Sequence, residues 1–188
     1  MEATAKKIIR ESVPVLTLCT LGGVLAGIIL MRMTPDFNKI PGLIILLPAI
    51  LGNRGNISGA LGSRLGSALH LGLISPELRW NNTLKINIYA SLILNFVMSF
   101  ILGVVAYYAS VLTGLFSPDE ISIMQLTLIS IFAGTLAGIA LTVLSVIIAI
   151  MTYSRGYDPD NVLAPSLSTI GDFITVICLF LAVKLIVG

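Results

Sequence analysis

The chain has 188 residues, of which 56% are hydrophobic and only 11% carry a charge. Soluble domains carry about 25% charged residues, so this composition excludes an ordinary water-soluble domain and indicates a protein embedded in a lipid bilayer. The length is that of one domain. The formal net charge is only +2, and no basic run is interleaved with aromatic residues, so we expect no nucleic-acid partner.

Five apolar segments are long enough to cross a bilayer as helices, since a span takes about 20 residues. We therefore predict an all-α membrane protein in which residues 1–188 form one integral-membrane domain. In chain order, the predicted spans are 13–31, 40–71, 86–115, 121–153 and 165–187.

The first span follows a short basic segment, as the apolar core of a signal peptide would. Lys6, Lys7 and Arg10 precede it, but the apolar run is long enough to span, and no clear small-residue cleavage motif ends it. We interpret it as a retained helix.

The second span contains residues that disfavour a regular helix. The segment from Pro48 to Asn56 holds two glycines, Gly52 and Gly55, besides the proline. We predict a break at Gly55-Asn56, where freed carbonyl oxygens and the amides of Asn53 and Asn56 would offer the oxygen ligands that hard divalent cations take. A plain kink, with both amides bonded to the backbone, is the alternative.

The third span carries one polar stripe, because Asn87, Ser91, Asn95 and Ser99 recur every four residues. Hydrogen bonds between helices and a water-filled path both explain such a stripe. Glycines four residues apart let helices approach closely in lipid and indicate a helix bundle or a dimer. These pairs are Gly23 and Gly27, Gly55 and Gly59, Gly62 and Gly66, and, in the fourth span, Gly134 and Gly138.

The fifth span contains Asp172, a carboxylate that is costly in hydrocarbon unless it faces water, a partner or an ion. Ser168 and Thr169 lie about one turn before it on the same helix face. We predict a cation site there, with both hydroxyl residues as further ligands. A structural ion pair with Arg54 or Arg64 of the second span is the alternative.

Two acids precede the fifth span. Asp158 and Asp160 flank Pro159, ahead of the predicted helix start at Pro165. Carboxylates at the mouth of a pore would concentrate cations there, which makes Asp158 a candidate mouth residue. Ordinary turn chemistry explains the same residues and is the alternative.

An odd number of spans puts the two termini on opposite sides of the membrane. With a cytoplasmic N-terminus, the inside segments hold Lys6, Lys7, Arg10, Arg79, Lys85 and Arg155, and the outside segments hold Arg32, Lys39 and Lys184. Because Lys and Arg collect on the cytoplasmic side, we predict a multi-pass protein of the plasma membrane with its N-terminus cytoplasmic and its C-terminus outside.

Two motifs at opposite ends of the chain resemble the transmembrane domain of the MgtE family. The run Pro48–Asn56 is similar to the family's P-x-x-L-G-x-x-G-N signature. Asp158-Pro159, Pro165 and the stretch 168–172 are similar to its D-P…P…T-T-x-x-D run.

A finer resemblance points to the eukaryotic solute-carrier magnesium transporters related to MgtE. Those proteins have a basic residue before Gly-Asn, as Arg54 is here, and an S-R-L run shortly after, as in Ser63-Arg64-Leu65. They carry two such domains in one chain, so the single domain here implies a homodimer.

The resemblance implies that Mg²⁺ passes through a pore at the dimer centre, as transported ion and pore ligand. It implies that Asp172 is the central cation-binding acid, assisted by Thr169, that Asn56 lines the path, and that Asp158 lies at the cytoplasmic mouth. We expect Asn53 beside Asn56 near the narrow point. Passive flow and coupling to Na⁺ both fit this scheme.

Three other functions are weighed against this one. A transporter of another divalent cation is possible because Ser58 and Ala60 replace polar residues that many relatives have near Gly-Asn. An intramembrane aspartyl protease would use Tyr157-Asp158 and Gly171-Asp172, but Thr169 stands where its motif needs a glycine. A non-transporting scaffold explains the glycines and leaves Asp172 without a reason. We therefore expect a transporter and not an enzyme.

Overall fold

The computed structural model describes residues 2–77, 79–115 and 121–188. This part of the chain forms helices joined by short connections, without strands. The helices are α1 (Glu2–Arg32), α2 (Thr34–Lys39), α3 (Leu43–His70), α4 (Asn82–Leu112), α5 (Ile123–Ser154) and α6 (Pro159–Val187).

Five of these helices contain segments that are long and apolar enough to cross a membrane. The segments are Ser12–Arg32, Leu43–His70, Asn82–Leu112, Ile123–Ser154 and Pro165–Val187. The prediction of an all-α membrane protein with five spans is confirmed, and each predicted boundary lies within about one helical turn of the observed one.

Helix α2 is an additional element that the apolar pattern does not predict. Pro35 lies in its first turn, where the missing N–H removes no helical hydrogen bond. The buried carboxylate of Asp36 accepts a hydrogen bond from Nζ of Lys184 at 2.9 Å. This ion pair ties the connection between α1 and α3 to the end of α6.

The predicted break of the second span at Gly55-Asn56 is wrong, because α3 is continuous from Leu43 to His70. A glycine inside a helix costs about 1 kcal/mol relative to alanine, whereas each unsatisfied backbone group in hydrocarbon costs several kcal/mol. The continuous helix is therefore the state of lower free energy. The carbonyl oxygens near Asn56 stay within the helix, and only side chains remain as candidate ligands in this stretch.

Helix α6 begins at Pro159 and not at Pro165, so Asp160 and Asn161 belong to the helix. Proline suits the first helical position, because its φ is already helical and the N–H that it lacks would have had no helical partner there. Its apolar part, Pro165–Val187, agrees with the predicted span.

Helices α3 and α6 run antiparallel and carry much of the hydrophobic core. Leu43 in the first half of α3 shares a buried cluster with Val183 in the last half of α6. Leu65 near the end of α3 shares a second cluster with Leu163 near the start of α6. The middle turns of both helices lie between these two clusters, and there the chain has polar residues.

The polar stripe of the third span lies in the contact between α4 and α5. Ser91, Asn95 and Ser99 are buried, and the hydroxyls of Ser91 and Thr142 are 3.3 Å apart. Asn95 faces Gly138 of α5, where an added Cβ would lie 2.7 Å from the Asn95 Cβ. For these three residues, the structure supports contact between helices and not a water-filled path.

Gly103 of α4 is expected to tolerate no side chain. An added Cβ would lie 2.6 Å from the backbone Cα of Thr127 in α5, which cannot rotate away. We expect Gly103→Ala to lower the free energy of unfolding by about 1–3 kcal/mol, measured by thermal unfolding of the purified protein in detergent. Gly27→Ala is the matched control, since a Cβ there meets nothing within 4 Å. Equal stabilities of the two variants would contradict the observed α4–α5 contact.

Candidate functional site

One ion pair connects α3 and α6 between the two core clusters. Nη2 of Arg54 donates a hydrogen bond to Oδ1 of Asp172. The guanidinium also donates from Nη1 to the carbonyl oxygen of Leu167 at 3.2 Å and from Nη2 to that of Ser168 at 3.4 Å. The arginine side chain is 3% exposed and the aspartate side chain 40%. The cation therefore lies inside the bundle, and the carboxylate lies at its surface.

Gly171 provides the space that this arginine occupies. A Cβ at that position would lie 2.7 Å from Cζ of Arg54. The glycine and the two carbonyl groups of α6 thus surround a guanidinium whose Nε has no hydrogen-bond partner among the described residues. Because a glycine directly precedes the acid in α6, the arginine of α3 can lie this close to the α6 backbone.

The structure contains the ion pair that was the alternative explanation for Asp172. The partner is Arg54, whereas Arg64 is exposed and has no ion pair within the described residues. Pairing does not enclose the acid, because 40% of its side chain stays exposed and only Oδ1 is bonded to Arg54. An acid that is neutralised on its buried side and open on the other can still meet a ligand.

A second feature of the site is the outward surface of α3, which we call the α3 face. Most of its exposed residues are small or polar and recur every three or four positions, namely Pro48, Gly52, Asn56, Ala60, Ser63 and Ser67; Ile44, Arg64 and His70 of α3 are exposed as well. The exposed surface of α4 is instead large and apolar, with Ile86, Tyr89, Ile93, Phe96 and Phe100. Lipid chains suit a surface such as that of α4, while small residues suit close contact with another helix.

The two predicted amide ligands differ in position. Asn56 is exposed on the α3 face near the middle of the helix, and Asn53 is half-buried at its edge. Neither side chain has a hydrogen bond to another described residue, so the alternative with both amides bonded to the backbone is not observed. Arg54 is buried and Asn56 is exposed, and the structure does not bring Asn56 into contact with Asp172 within the chain.

Ser168 and Thr169 lie on different sides of α6. Ser168 is exposed, and its backbone carbonyl, not its hydroxyl, accepts from Arg54. Thr169 is half-buried and faces α1, where a Cβ at Gly22 would lie 2.6 Å from the threonine Cγ2. It lines a groove of about 320 Å³ between α1 and α6.

Asp158 lies at the end of the bundle where α3 ends and α6 begins. Its Oδ1 is 3.9 Å from Nε2 of His70, and both side chains are partly exposed. Along the axis of α6, it is about 20 Å from Asp172. The structure therefore separates the predicted mouth residue from the predicted central acid, as a path through the bilayer requires.

Within the described part of the chain, no three His, Cys, Asp or Glu side chains come together as a metal site. Asp172 is therefore not part of a cluster of three such side chains, and the hydroxyl residues Ser168 and Thr169 lie about one turn from it on α6. Such a set does not form a dry cage for a metal ion.

Comparison with known proteins places this sequence in a family. Residues 47–182 match the family model of MgtE, described as a divalent cation transporter. The chain belongs to the MgtE family. The matched MgtE segment contains Arg54, Asn56, Asp158 and Asp172. The resemblance drawn from the two motifs is confirmed, and a family of transporters agrees with the expectation that the chain is not an enzyme.

Curated relatives of this MgtE-family chain are solute carriers. Solute carrier family 41 member 3 of Rattus norvegicus is 28% identical over 171 residues, covering 88% of this chain and 36% of that protein. Member 3 of Mus musculus is 31% identical over 144 residues, covering 75% and 29%. Member 2 of Homo sapiens is 30% identical over 164 residues, covering 84% and 28%. The chain spans about a third of the length of the curated relatives it matches. No solved structure matches it.

Sequence reasoning did not select Arg54 over Arg64 as the partner of Asp172, although the signal is present. Arg54 lies on the apolar stripe of α3 formed by Ile50, Ile57 and Leu61, at i−4, i+3 and i+7. All three are buried in the structure. A cation on the buried stripe of a spanning helix needs an acid facing it, whereas Arg64 lies at the edge of that stripe and is exposed in the structure.

The ion pair is expected to stabilise the fold. Asp172→Ala would leave Arg54 as an unpaired buried cation and should lower the free energy of unfolding by about 3–5 kcal/mol. The double variant Arg54→Met/Asp172→Ala should recover much of that loss, because it removes the stranded charge as well. Denaturant unfolding in detergent measures both, with Arg64→Met as the exposed, unpaired control. A loss for Asp172→Ala no larger than that of the control would show that the pair does not stabilise the protein.

Proposed function

We propose that the chain is one protomer of a homodimer that moves hydrated Mg²⁺ across the membrane through a pore at the two-fold axis. The observation that carries this proposal is Asp172, a carboxylate within a spanning helix that keeps 40% of its side chain exposed in a chain of a divalent cation transporter family. A charge at this depth is costly unless it meets water, a partner or an ion, and Arg54 occupies only its buried side.

Magnesium chemistry accounts for a site with one carboxylate per protomer. Mg²⁺ gives up water reluctantly and is usually bound through one or two carboxylates while it keeps several waters. A two-fold axis beside α6 would add Asp172 of the partner subunit as the second carboxylate. In this arrangement, the exposed hydroxyl of Ser168 would contact the water shell of the ion, and Thr169 would do so only from the groove between α1 and α6.

The α3 face supports a two-fold contact along the path. Added Cβ atoms at Gly52, Gly55 and Gly59 would meet nothing within 4 Å in the protomer, so a second copy could approach closely there. Asn56 is exposed on this surface, and its amide oxygen can accept from a hydrated ion. We assign Asn53 and Asn56 to the narrow part of the path.

The orientation follows from the positive-inside rule, with six basic residues inside and three outside for a cytoplasmic N-terminus. This orientation puts the end of the bundle that carries Asp158 in the cytoplasm. Its carboxylate would concentrate cations at that mouth. Residues 1–188 would then form one integral-membrane domain in the plasma membrane, with the C-terminus outside.

Transport should depend on the Asp172 carboxylate. We expect vesicles that contain the purified protein to take up Mg²⁺, and we expect Asp172→Asn and Asp172→Ala to lose most of that flux, because neither side chain carries the negative charge of the carboxylate. A fluorescent Mg²⁺ indicator inside the vesicles measures the rate per mole of folded protein.

Two further variants separate loss of the site from loss of the fold. Asp172→Glu keeps the charge and should retain part of the flux. Arg54→Met/Asp172→Ala should be folded and yet inactive, since it has neither the stranded cation nor the acid. Near-normal flux in both Asp172→Asn and Asp172→Ala would end the proposal.

Two transport modes fit the site, because Na⁺ also takes oxygen ligands. Vesicles with and without an opposing Na⁺ gradient distinguish them: flux that needs the gradient indicates exchange, and flux without it indicates passive flow. We expect excess Mn²⁺ or Co²⁺ to slow Mg²⁺ uptake if they use the same hydrated-ion site. A chain that transports Ca²⁺ or Mn²⁺ but not Mg²⁺ would replace the proposed ion with another divalent cation.

A further inference from the structure

Arg54 occupies the buried side of the carboxylate that the proposed function makes the cation site. We propose that Arg54 is a fixed counter-ion that weakens the binding of divalent cations at Asp172, so that an ion is held and then released. This inference rests on the proposed function, since it concerns affinity at the same site. It assigns Arg54 an electrostatic role in which the arginine lies behind the aspartate and does not touch the ion.

The contacts of Arg54 indicate that the arginine stays in place while the ion comes and goes. Its guanidinium donates to three acceptors on one segment of α6, namely the carboxylate and the carbonyl oxygens of Leu167 and Ser168. It fills the space left by Gly171 and is almost completely buried. Withdrawal would break all three hydrogen bonds and leave a charge beside apolar residues of α3, which is unfavourable in a low-dielectric interior.

The Asp172 side chain is 40% exposed and Arg54 bonds only its Oδ1, so the two cations need not compete for one oxygen. Arg54 approaches Asp172 from within the bundle, and the exposed part of the carboxylate is left for a hydrated ion. The ion would be attracted by the near carboxylate and repelled by the guanidinium behind it. Arg54 therefore lowers the affinity of the site without lying in the path.

The charge of the proposed dimer site shows why such a reduction is useful. Two Asp172 carboxylates without counter-ions would present two negative charges to a divalent ion in a poorly screened environment, where attraction is strong. A conducting site must bind well enough for entry and weakly enough for exit. Two Arg54 side chains bring the formal charge of the four groups to zero, so what remains is attraction from the nearer carboxylates.

The test measures Mn²⁺ binding to the purified protein in lipid nanodiscs by electron paramagnetic resonance. Arg54→Gln keeps hydrogen-bond donors for α6 and removes the charge, so we expect the Mn²⁺ dissociation constant to fall by about tenfold or more. In vesicle uptake of Mg²⁺, KM and Vmax should both decrease, because the ion binds more tightly and leaves more slowly. A purely structural role would reduce Vmax through lost folded protein and would leave the dissociation constant unchanged.

Gly171→Ala gives an independent route to the same change. The added Cβ would collide with the guanidinium and push it from the carboxylate, so this variant should also bind Mn²⁺ more tightly while Arg54 itself is intact. Arg54→Lys keeps the positive charge and should bind Mn²⁺ more like the wild type than like Arg54→Gln. Arg64→Gln is the matched control: it removes the same charge from the same helix about 15 Å away, at an exposed position, and should change nothing.

Unchanged or weaker Mn²⁺ binding by Arg54→Gln would overturn the inference, and so would binding by Arg54→Lys as tight as that by Arg54→Gln. If Arg54→Gln does not fold, Gly171→Ala and Arg54→Lys decide: tighter binding by the first with near-wild-type binding by the second supports the inference, and any other combination overturns it. Asp172→Asn separates this result from the proposed function. Mn²⁺ binding that survives Asp172→Asn refutes both, whereas loss of binding there without tightening in Arg54→Gln refutes the counter-ion role alone.

Discussion

The fold depends on placing two opposite charges next to each other at the depth of the membrane. In hydrocarbon, neither Arg54 nor Asp172 is tolerable alone, and the chain solves this by crossing α3 against α6 so that the two residues meet. One apolar cluster packs on each side of the crossing, and Gly171 allows the close approach. The pair is asymmetric, with the cation inside and the acid at the surface. Because of this asymmetry, a carboxylate is exposed at the surface of an otherwise apolar bundle.

The glycines fall into two groups: some let two helices of the chain approach each other closely, and others face open space. On α4 and α5, residues of the facing helix already occupy the space beside Gly103 and Gly138, so these glycines form part of the contact between the two helices. On the α3 face, Gly52 is open, as are Gly23 and Gly27 of α1. Open small residues on a spanning helix leave space that lipid chains fill less well than another helix does. The open α3 face fits the second copy that we propose, and the large exposed apolar side chains of α4 fit lipid.

Composition and apolar period were enough to predict the helical fold and the five spans, because the length of a span is set by the bilayer. The continuity of α3 through Gly55-Asn56 could not be predicted reliably, since glycine and proline permit a break without requiring one. Hydrogen bonding in lipid favours the intact helix. The family signature was read correctly, but which arginine pairs with Asp172 is a question of helix rotation and crossing. The apolar residues that share its helix stripe indicate that Arg54 is buried, but only the observed contact with α6 identifies it as the partner of Asp172. Helix α2 was missed because a polar six-residue segment has no apolar period.

A hydrated ion changes what determines affinity at such a site. If Mg²⁺ keeps its inner waters, the protein touches it mainly through water, and exact ligand geometry contributes less than the net charge around the ion. A buried charge behind the carboxylate is then an effective place to adjust affinity, because it acts through the low-dielectric interior and is shielded from solvent ions. The planar guanidinium suits this position, since its several donors reach the carboxylate and two backbone carbonyls at once. The same contacts that stabilise the crossing of α3 and α6 would in this way also set how tightly the ion is held.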